Sequence, residues 1–283
     1  MLAQAAVAGV LLLSGLAVHP ARAQTPQCEP DKAATKYPAY AGKVVKVAVS
    51  PLQPPYAFSD PAAPDSIIGL EAEMITKAMA CAGLKFEFVK GAWSGLLAAL
   101  FSGASDVMIG AVNYRADRAE RADFIIYMRA GQSLEVRKGN PMRLVGPETL
   151  CGATGSATMG SSSAMHIDRL SQACVERNKP AITFLPAVDG NAAFRQVANA
   201  RVDFALDDAA SAGARVLREP EIEVVYTVST DILAGMVVTK GNTAMRQIVL
   251  DGLMVQQRDG TLHALAKKYG FPEELLVPVE VRQ

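Results

Sequence analysis

The chain has 283 residues, half of them apolar, and its 28 basic and 28 acidic side chains cancel at neutral pH. A formal charge of zero supplies no long-range field toward polyanions, so neither nucleic acid nor an anionic lipid surface is expected as a partner. The length accommodates two packed lobes or one large α/β domain.

The first residues, MLAQAAVAGVLLLSGLAVHPARA, hold an apolar run too short to span a bilayer comfortably, followed by the small-x-small sequence Ala21-Arg22-Ala23. They read as a secretory signal cleaved after Ala23, although no Lys or Arg precedes the apolar core. Cys28 lies too far from that run to be a lipid-modified first residue. Nothing later is long and apolar enough to insert in a membrane, so a soluble, exported, periplasmic protein is expected. An oxidising compartment favours cysteine pairing, and the four cysteines allow three connectivities. Cys151 and Cys174 bracket one predicted strand, turn and helix and are expected to pair; Cys28 with Cys81 follows by elimination. The alternative for Cys81 is a small buried residue on a helix face.

Residues 24–43 read as an irregular leader. VVKVAVS (44–50) is a short apolar, β-branched run ended by PLQPPY, hence a buried strand and a proline-stiffened loop. GLEAEMITKAMACAG repeats apolar residues at helical spacing, with Glu71 and Glu73 in the first turn and Gly83 at the end, as the helix dipole and the C-cap prefer. KFEFVK is a strand, Ser94 is expected to cap the helix GLLAALFSG, and DVMIGAV is a fully apolar strand. This alternation implies a parallel-type sheet covered on both faces. After EVRKGNP a second series begins: a strand near 153–158, a helix over 161–176, the strand AITFLP, the helix NAAFRQVANA and the strand VDFALD. GMVVTKG is a later strand, and two helices follow, NTAMRQIVLDGLMVQQ and LHALAKKYG, split by Asp259-Gly260. The stripe Leu262, Leu265, Ala266 and Tyr269 marks the core face of the last helix.

Catalytic motifs are sparse. Beyond the signal only His166 and His263 remain, neither at zinc-ligand spacing from a cysteine or acid, so no metal and no cofactor is expected. GSSSA (160–164) lacks the last glycine of a nucleophile elbow, and the glycines of CGATGSATMG fit neither a dinucleotide fingerprint nor a phosphate loop. GSSS does provide small residues where a strand turns into a helix. Backbone N–H groups there make an anion seat, although Ser161 also suits a simple helix cap.

NYRADRAERADF (113–124) follows the apolar strand DVMIGAV, so Asn113–Arg118 lies where the carboxyl end of a strand meets a helix, the usual ligand crevice of open α/β sheets. Arg118 and Arg121 are one helical turn apart, whereas Arg115 is set toward the entry loop.

The stretch from GLEAEMITKAMACAG through DVMIGAVNYRADRAERADF to SLEVRKG resembles, element by element, the first lobe of the family 3 solute-binding proteins of polar amino acid ABC importers. Arg118, Asp123 and Phe124 carry the family's R-x-x-x-x-D-F signature, and QQRDGTLHALAKKYG is similar to the family's ending. The resemblance covers about Val44 to Tyr269. It implies a two-lobe α/β fold of the periplasmic-binding-protein type II, hinged around a cleft, with crossing strands near SLEVRKG and ILAGMVV. Lobe 1 would comprise 44–133 and 232–283, and lobe 2 would comprise 134–231. The working form is expected to be a monomer that hands its ligand to an ABC permease.

The resemblance also implies site residues. Arg118 would fork onto a ligand's α-carboxylate, a geometry that suits a planar guanidinium. Ser161 and Ser162 would close on the same carboxylate from the second lobe, and Asp208 would receive the α-ammonium. Gly110, Ala111 and Asn113 would line the floor, Trp93 would wall the side-chain pocket, and Tyr56 would lie near the cleft. Arg115 and Arg121 would be surface residues. Asp207 would point away from the cleft, because strand side chains alternate. Ser50 stands where members for cationic amino acids carry aspartate, and Gln53 where an aromatic often stands. Ala111 and Ser163 replace more polar residues, so the expected ligand is a small neutral or polar amino acid and the expected activity is binding without catalysis. Two rivals remain: a dehydratase of cyclic acids on the same scaffold, with Asp207 or His166 as the acid or base, and a periplasmic sensor or accessory subunit.

Overall fold

The computed structural model describes residues 26–271 and 273–283; the signal read at 1–23 lies outside them. Three short strands form the first parallel unit. β1 (Val44–Val49) pairs with β5 (Lys85–Lys90) on one side and β6 (Val107–Asn113) on the other. The second unit repeats this with β8 (Thr154–Thr158) between β9 (Thr183–Ala187) and β10 (Phe204–Asp208).

Two long antiparallel strands, β7 (Ala122–Arg137) and β11 (Ile222–Thr239), fuse the units into one nine-stranded sheet. β11 borders β6 of the first unit, and β7 borders β10 of the second. Each crossing strand is longer than the segment read from sequence, because the runs on both sides of the crossing remain extended. Register shifts in the β7–β11 pair, between Ser229 and Leu233 and between Ala234 and Gly235, interrupt its ladder midway.

Each unit has a core on both faces of its sheet. On the first, α2 (Leu70–Ala82), α8 (Thr243–Arg258) and α9 (Thr261–Lys268) bury Met74, Met79, Val249, Leu253 and Leu262 against β1, β6 and β11; α3 (Trp93–Phe101) covers the opposite face with Leu96 and Leu100. Full burial of each such side chain is worth roughly 1.5–3 kcal/mol. α2 and α8 approach closely at Gly252, where a Cβ would lie 2.4 Å from that of Ala78, so larger residues are barred. On the second unit, α5 (Ser162–Glu176) and α6 (Gly190–Ala198) cover opposite faces through Ile167 and Phe194.

The leader is not irregular throughout: Pro30–Lys32 form a 3-10 turn and Ala33–Lys36 a short helix, α1. Tyr37 then enters the first core, its hydroxyl donating to Asp251 at 3.1 Å. Both disulfides are present, Cys28–Cys81 and Cys151–Cys174, so Cys81 is no mere core filler. The proline-rich loop carries strands β2 (Leu52–Gln53) and β3 (Ala57–Asp60), which join β4 (Ala63–Ile68) in a small separate sheet. Ala92, not Ser94, is the N-cap of α3, which starts at Trp93. The helix read after Asn113 is the single turn α4 (Ala116–Ala119), whereas α7 (Ala209–Val216) and the strand β12 (Leu276–Arg282), which pairs with β7, were not read from the sequence. None of the described helices is long and apolar enough to cross a membrane.

Candidate functional site

The strand ends of the two units face each other across a cleft of about 610 Å³, open to solvent. Its first wall is built by the end of β6. Gly110 (φ +131°) and Ala111 (φ +49°) lie in the positive-φ region, which an alanine adopts only under constraint. The constraint is Glu71, fully buried in the first turn of α2, whose carboxylate accepts from the N–H groups of both Gly110 and Ala111. Burial raises Glu71 to about 7, against those N–H groups and the Tyr127 hydroxyl, which favour its anion. The Gly110 carbonyl accepts from Gln53 Nε2 (3.0 Å) and Trp93 Nε1 (3.3 Å), fixing both side chains at the cleft.

Arg118 lies in the last turn of the short helix α4 and is 3% exposed. Its Nη1 donates to the Asn113 carbonyl at 3.0 Å and its Nη2 to the Gly160 carbonyl at 2.7 Å, while buried Nε has no acceptor. No carboxylate of the described residues pairs with it, and its guanidinium sits 5.5 Å from the centre of the Trp93 ring. Burial and the neighbouring charge of Arg115 lower its pKa to about 10, so it remains a cation at neutral pH.

The signature thus divides by role. Arg118 lines the cleft, whereas Asp123 pairs with Arg246 on α8 at 3.0 Å and Phe124 packs in the core. Arg121 lies exposed over the Phe101 ring, on the surface as read from sequence. Arg115 departs from that reading: it is half-buried, is tied to Asp117 at 2.6 Å and leans toward the Gly160 carbonyl at the rim.

The second wall begins at the N-terminus of α5. Ser161 caps the helix, its Oγ accepting from Ala164 N at 3.1 Å, and also lines the cleft. Ser162 Oγ is buried without a partner, beside the first-turn N–H groups that the helix itself cannot satisfy. Asp208 caps α7: its Oδ1 accepts from Ser211 N (3.0 Å) and from the Tyr56 hydroxyl of the other unit (3.0 Å), leaving Oδ2 free of hydrogen bonds. Burial, reinforced by the charge of Asp207, raises its pKa to about 6.

Ser50, Trp93, Gly110, Ala111, Asn113, Arg118, Ser161, Ser162 and Asp208 therefore share one cleft. Tyr56 does not line it; fully buried, it reaches the site only through its bond to Asp208. Asp207, read as pointing away, lines the cleft and meets Arg215 Nη2 at 2.7 Å, because the chain turns into α7 at Asp208 and strand alternation ends there. Sequence reading missed Gln132, Thr158, Asp189 and Arg215 on the cleft and Glu71 behind it. Glu71 had a usable signal: with Ile75, Ala78 and Ala82 it falls on the buried stripe of α2, where an acid is out of place unless it serves something.

Two α/β units on shared strands, with a buried unpaired cation in the cleft between them, define a hinged binding protein. The family model of the bacterial extracellular solute-binding proteins, family 3, matches residues 45–273, and the chain belongs to that family. The L-cystine-binding protein TcyJ of Escherichia coli (strain K12) is 24% identical over 218 residues, 76% of this chain and 78% of that protein. An ancestral arginine-binding protein bound to arginine superposes with a TM-score of 0.72 at 26% identity, over 80% of this chain and 97% of that one. The ancestral amino acid-binding protein AncCDT-1, a precursor of cyclohexadienyl dehydratase, superposes at 0.70 with 23% identity, over 80% and 95%, a likeness of fold.

Proposed function

We propose that this protein is the exported solute-binding component of an ABC importer, which takes up a small neutral or polar amino acid in its cleft and delivers it to a membrane permease. The observation that carries the reading is Arg118: a guanidinium buried at a cleft with no carboxylate of its own is costly unless a ligand supplies one. Asp208 on the opposite wall offers an uncommitted carboxylate oxygen for an ammonium group, and Ser161 and Ser162 present hydroxyls and N–H groups to the carboxylate end. L-Cystine and arginine, named for two of the relatives, both carry an α-carboxylate and an α-ammonium. Binding first to lobe 1 through Arg118 and then gaining partners on lobe 2 gives the ligand more contacts in the shut form, which is what drives closure. Lobe 1 is assigned to 44–133 and 232–283 and lobe 2 to 134–231; the signal ends at Ala23, and the protein acts as a monomer.

A thermal-shift panel over the amino acids tests this, because a ligand bound only by the folded form raises the melting temperature. Arg118→Ala is expected to abolish every shift, and Arg121→Ala to leave them intact. Equal loss from both variants would sink the assignment of the carboxylate fork. A dehydratase is the second reading, favoured by Asp208, whose pKa of about 6 lets it serve as acid or base in the cleft. Turnover of a cyclic hydroxy acid by the purified protein would promote it over transport.

A further inference from the structure

Two cations line the cleft among the described residues, Arg118 and Arg215. Two guanidinium groups facing one cavity would ordinarily make a dicarboxylate site, one for each end of the ligand. Here they differ in what already holds them. Arg118 has no carboxylate partner, whereas Arg215 Nη1 lies 2.6 and 2.7 Å from the two oxygens of Glu135, its Nη2 2.7 Å from Asp207 Oδ2, and its Nε donates to Asn191 at 3.3 Å. The Phe194 ring lies 5.7 Å from its guanidinium carbon on the far side. Gly190 completes the cluster, since a Cβ there would come within 2.4 Å of Asp207 Oδ2 and 2.9 Å of Arg215 Nη2.

The charges do not cancel: burial raises the pKa of Glu135, but two bonds from Arg215 hold it as the anion, so two carboxylates surround one guanidinium. Accessibility decides which of them a ligand meets. The side chains of Arg215 and Glu135 are 5% and 0% exposed, and that of Asp207 is 16%. The face turned to the cavity is therefore that of an anion.

We propose that Asp207 and Glu135, by masking Arg215, are the specificity determinants that bar amino acids with a carboxylate side chain from this cleft. The inference rests on the amino acid reading above and narrows its substrate class. An acidic side chain would meet Asp207 before any free donor. An uncharged side chain such as a carboxamide escapes that repulsion and can accept from the second N–H of Nη2, the one not given to Asp207.

The isosteric pair L-glutamine and L-glutamate reads this directly by calorimetry, together with glutarate, a dicarboxylate without an ammonium group. Wild-type protein is expected to bind L-glutamine at least about tenfold more tightly than L-glutamate, as a single uncompensated like charge requires. Asp207→Asn and Glu135→Gln should each shrink that ratio about tenfold or more and gain glutarate. Adding Arg215→Met to Asp207→Asn should remove the gain, which assigns it to Arg215. Asp207→Asn also changes the field at the neighbouring Asp208, but equally for both ligands, so the ratio isolates the side chain. Equal wild-type affinity for the pair overturns the inference, as does failure of both folded variants to gain L-glutamate or glutarate. If the wild type binds no amino acid at all, the reading of the preceding section falls, while the glutarate arm, which needs no ammonium group, still decides this one.

Discussion

A charge taken out of water must be repaid, and at Arg118 the protein's own groups repay only part, with two backbone carbonyls. On the proposed reading, the site therefore holds free energy in reserve for a ligand. Replacement by an apolar side chain of similar length, Arg118→Met, is expected to raise the melting temperature of the ligand-free protein, by the equivalent of roughly 1–3 kcal/mol, while destroying binding; differential scanning calorimetry checks it, and a lower melting temperature would contradict the argument. Asp208 behaves in the opposite sense with pH. Its pKa of about 6 lies above that of an unfolded aspartate, so the folded state binds the proton more tightly, and this group's contribution to stability falls as pH rises from about 4 to 6. An ammonium ligand needs the ionised form, so affinity moves the other way: between pH 7 and pH 5 it should weaken about tenfold, and Asp208→Asn should flatten the titration at the weak end. At this scale Arg118 was legible through the signature it shares with Asp123 and Phe124, not through its residue type. The sequence was silent on Arg215, whose role depends on Glu135 arriving from a strand 80 positions away.

Helix ends and strand ends are the elements that make the site, and most of them follow from local chemistry. Gly83 stops α2, Asp259-Gly260 divides α8 from α9, and Ser161, Asp189 and Asp208 each cap a helix that starts at the cleft. β1 and β6 were legible as near-continuous apolar runs and the edge strand β5 by its alternation, whereas β8 and β9 followed from the repeat of the first unit's order. β2 and β3 were not legible, since prolines leave them no periodicity and only tertiary pairing makes them strands; in β12 Val277, Val279 and Val281 alternate with Pro278, Glu280 and Arg282, a period that the proline masked. The disulfides act on elements too. Cys28–Cys81 closes a separation of 53 residues and holds the leader segment ahead of Pro30 to α2; Cys151–Cys174 closes 23 and holds α5 to the start of the second unit. Replacing either pair by serine should cost roughly 3–4 kcal/mol, the longer loop more, as followed by urea unfolding. Loss of the first pair should also expose residues 26–43 to limited proteolysis, and equal protection in the variant would refute the tether.

For the molecule as a whole, the question is how two units on shared strands are kept together. Among the described residues, hydrogen bonds cross the cleft from Arg118 (2.7 Å) and Arg115 (3.4 Å) to the Gly160 carbonyl, from the Tyr56 hydroxyl to Asp208 (3.0 Å) and from Ser94 N to the Val188 carbonyl (3.4 Å). Tyr56→Phe removes one of them without touching the cavity wall. It should weaken binding of any ligand from the panel roughly tenfold, a hydrogen bond to a charged group being worth about 1.5–3 kcal/mol. Small-angle scattering at a half-saturating ligand concentration should then show a larger radius of gyration than wild type. The two-unit plan was readable from the repeated alternation of strands and helices. The fusion into one sheet was not, because nothing in a local pattern tells whether a strand stops at its own unit or runs on into the next.

β12 carries the C-terminal residues back onto the crossing strand, and the Gln283 carbonyl accepts from the Tyr114 hydroxyl at 3.4 Å, one residue before Arg115. A dye or surface tether fixed at Gln283 would therefore sit beside the crossing strand β7 and close to Asn113 of the cleft rather than at a remote tail. The same attachment that makes this position a sensitive place for an optical reporter makes it a poor handle for immobilising the protein in affinity measurements.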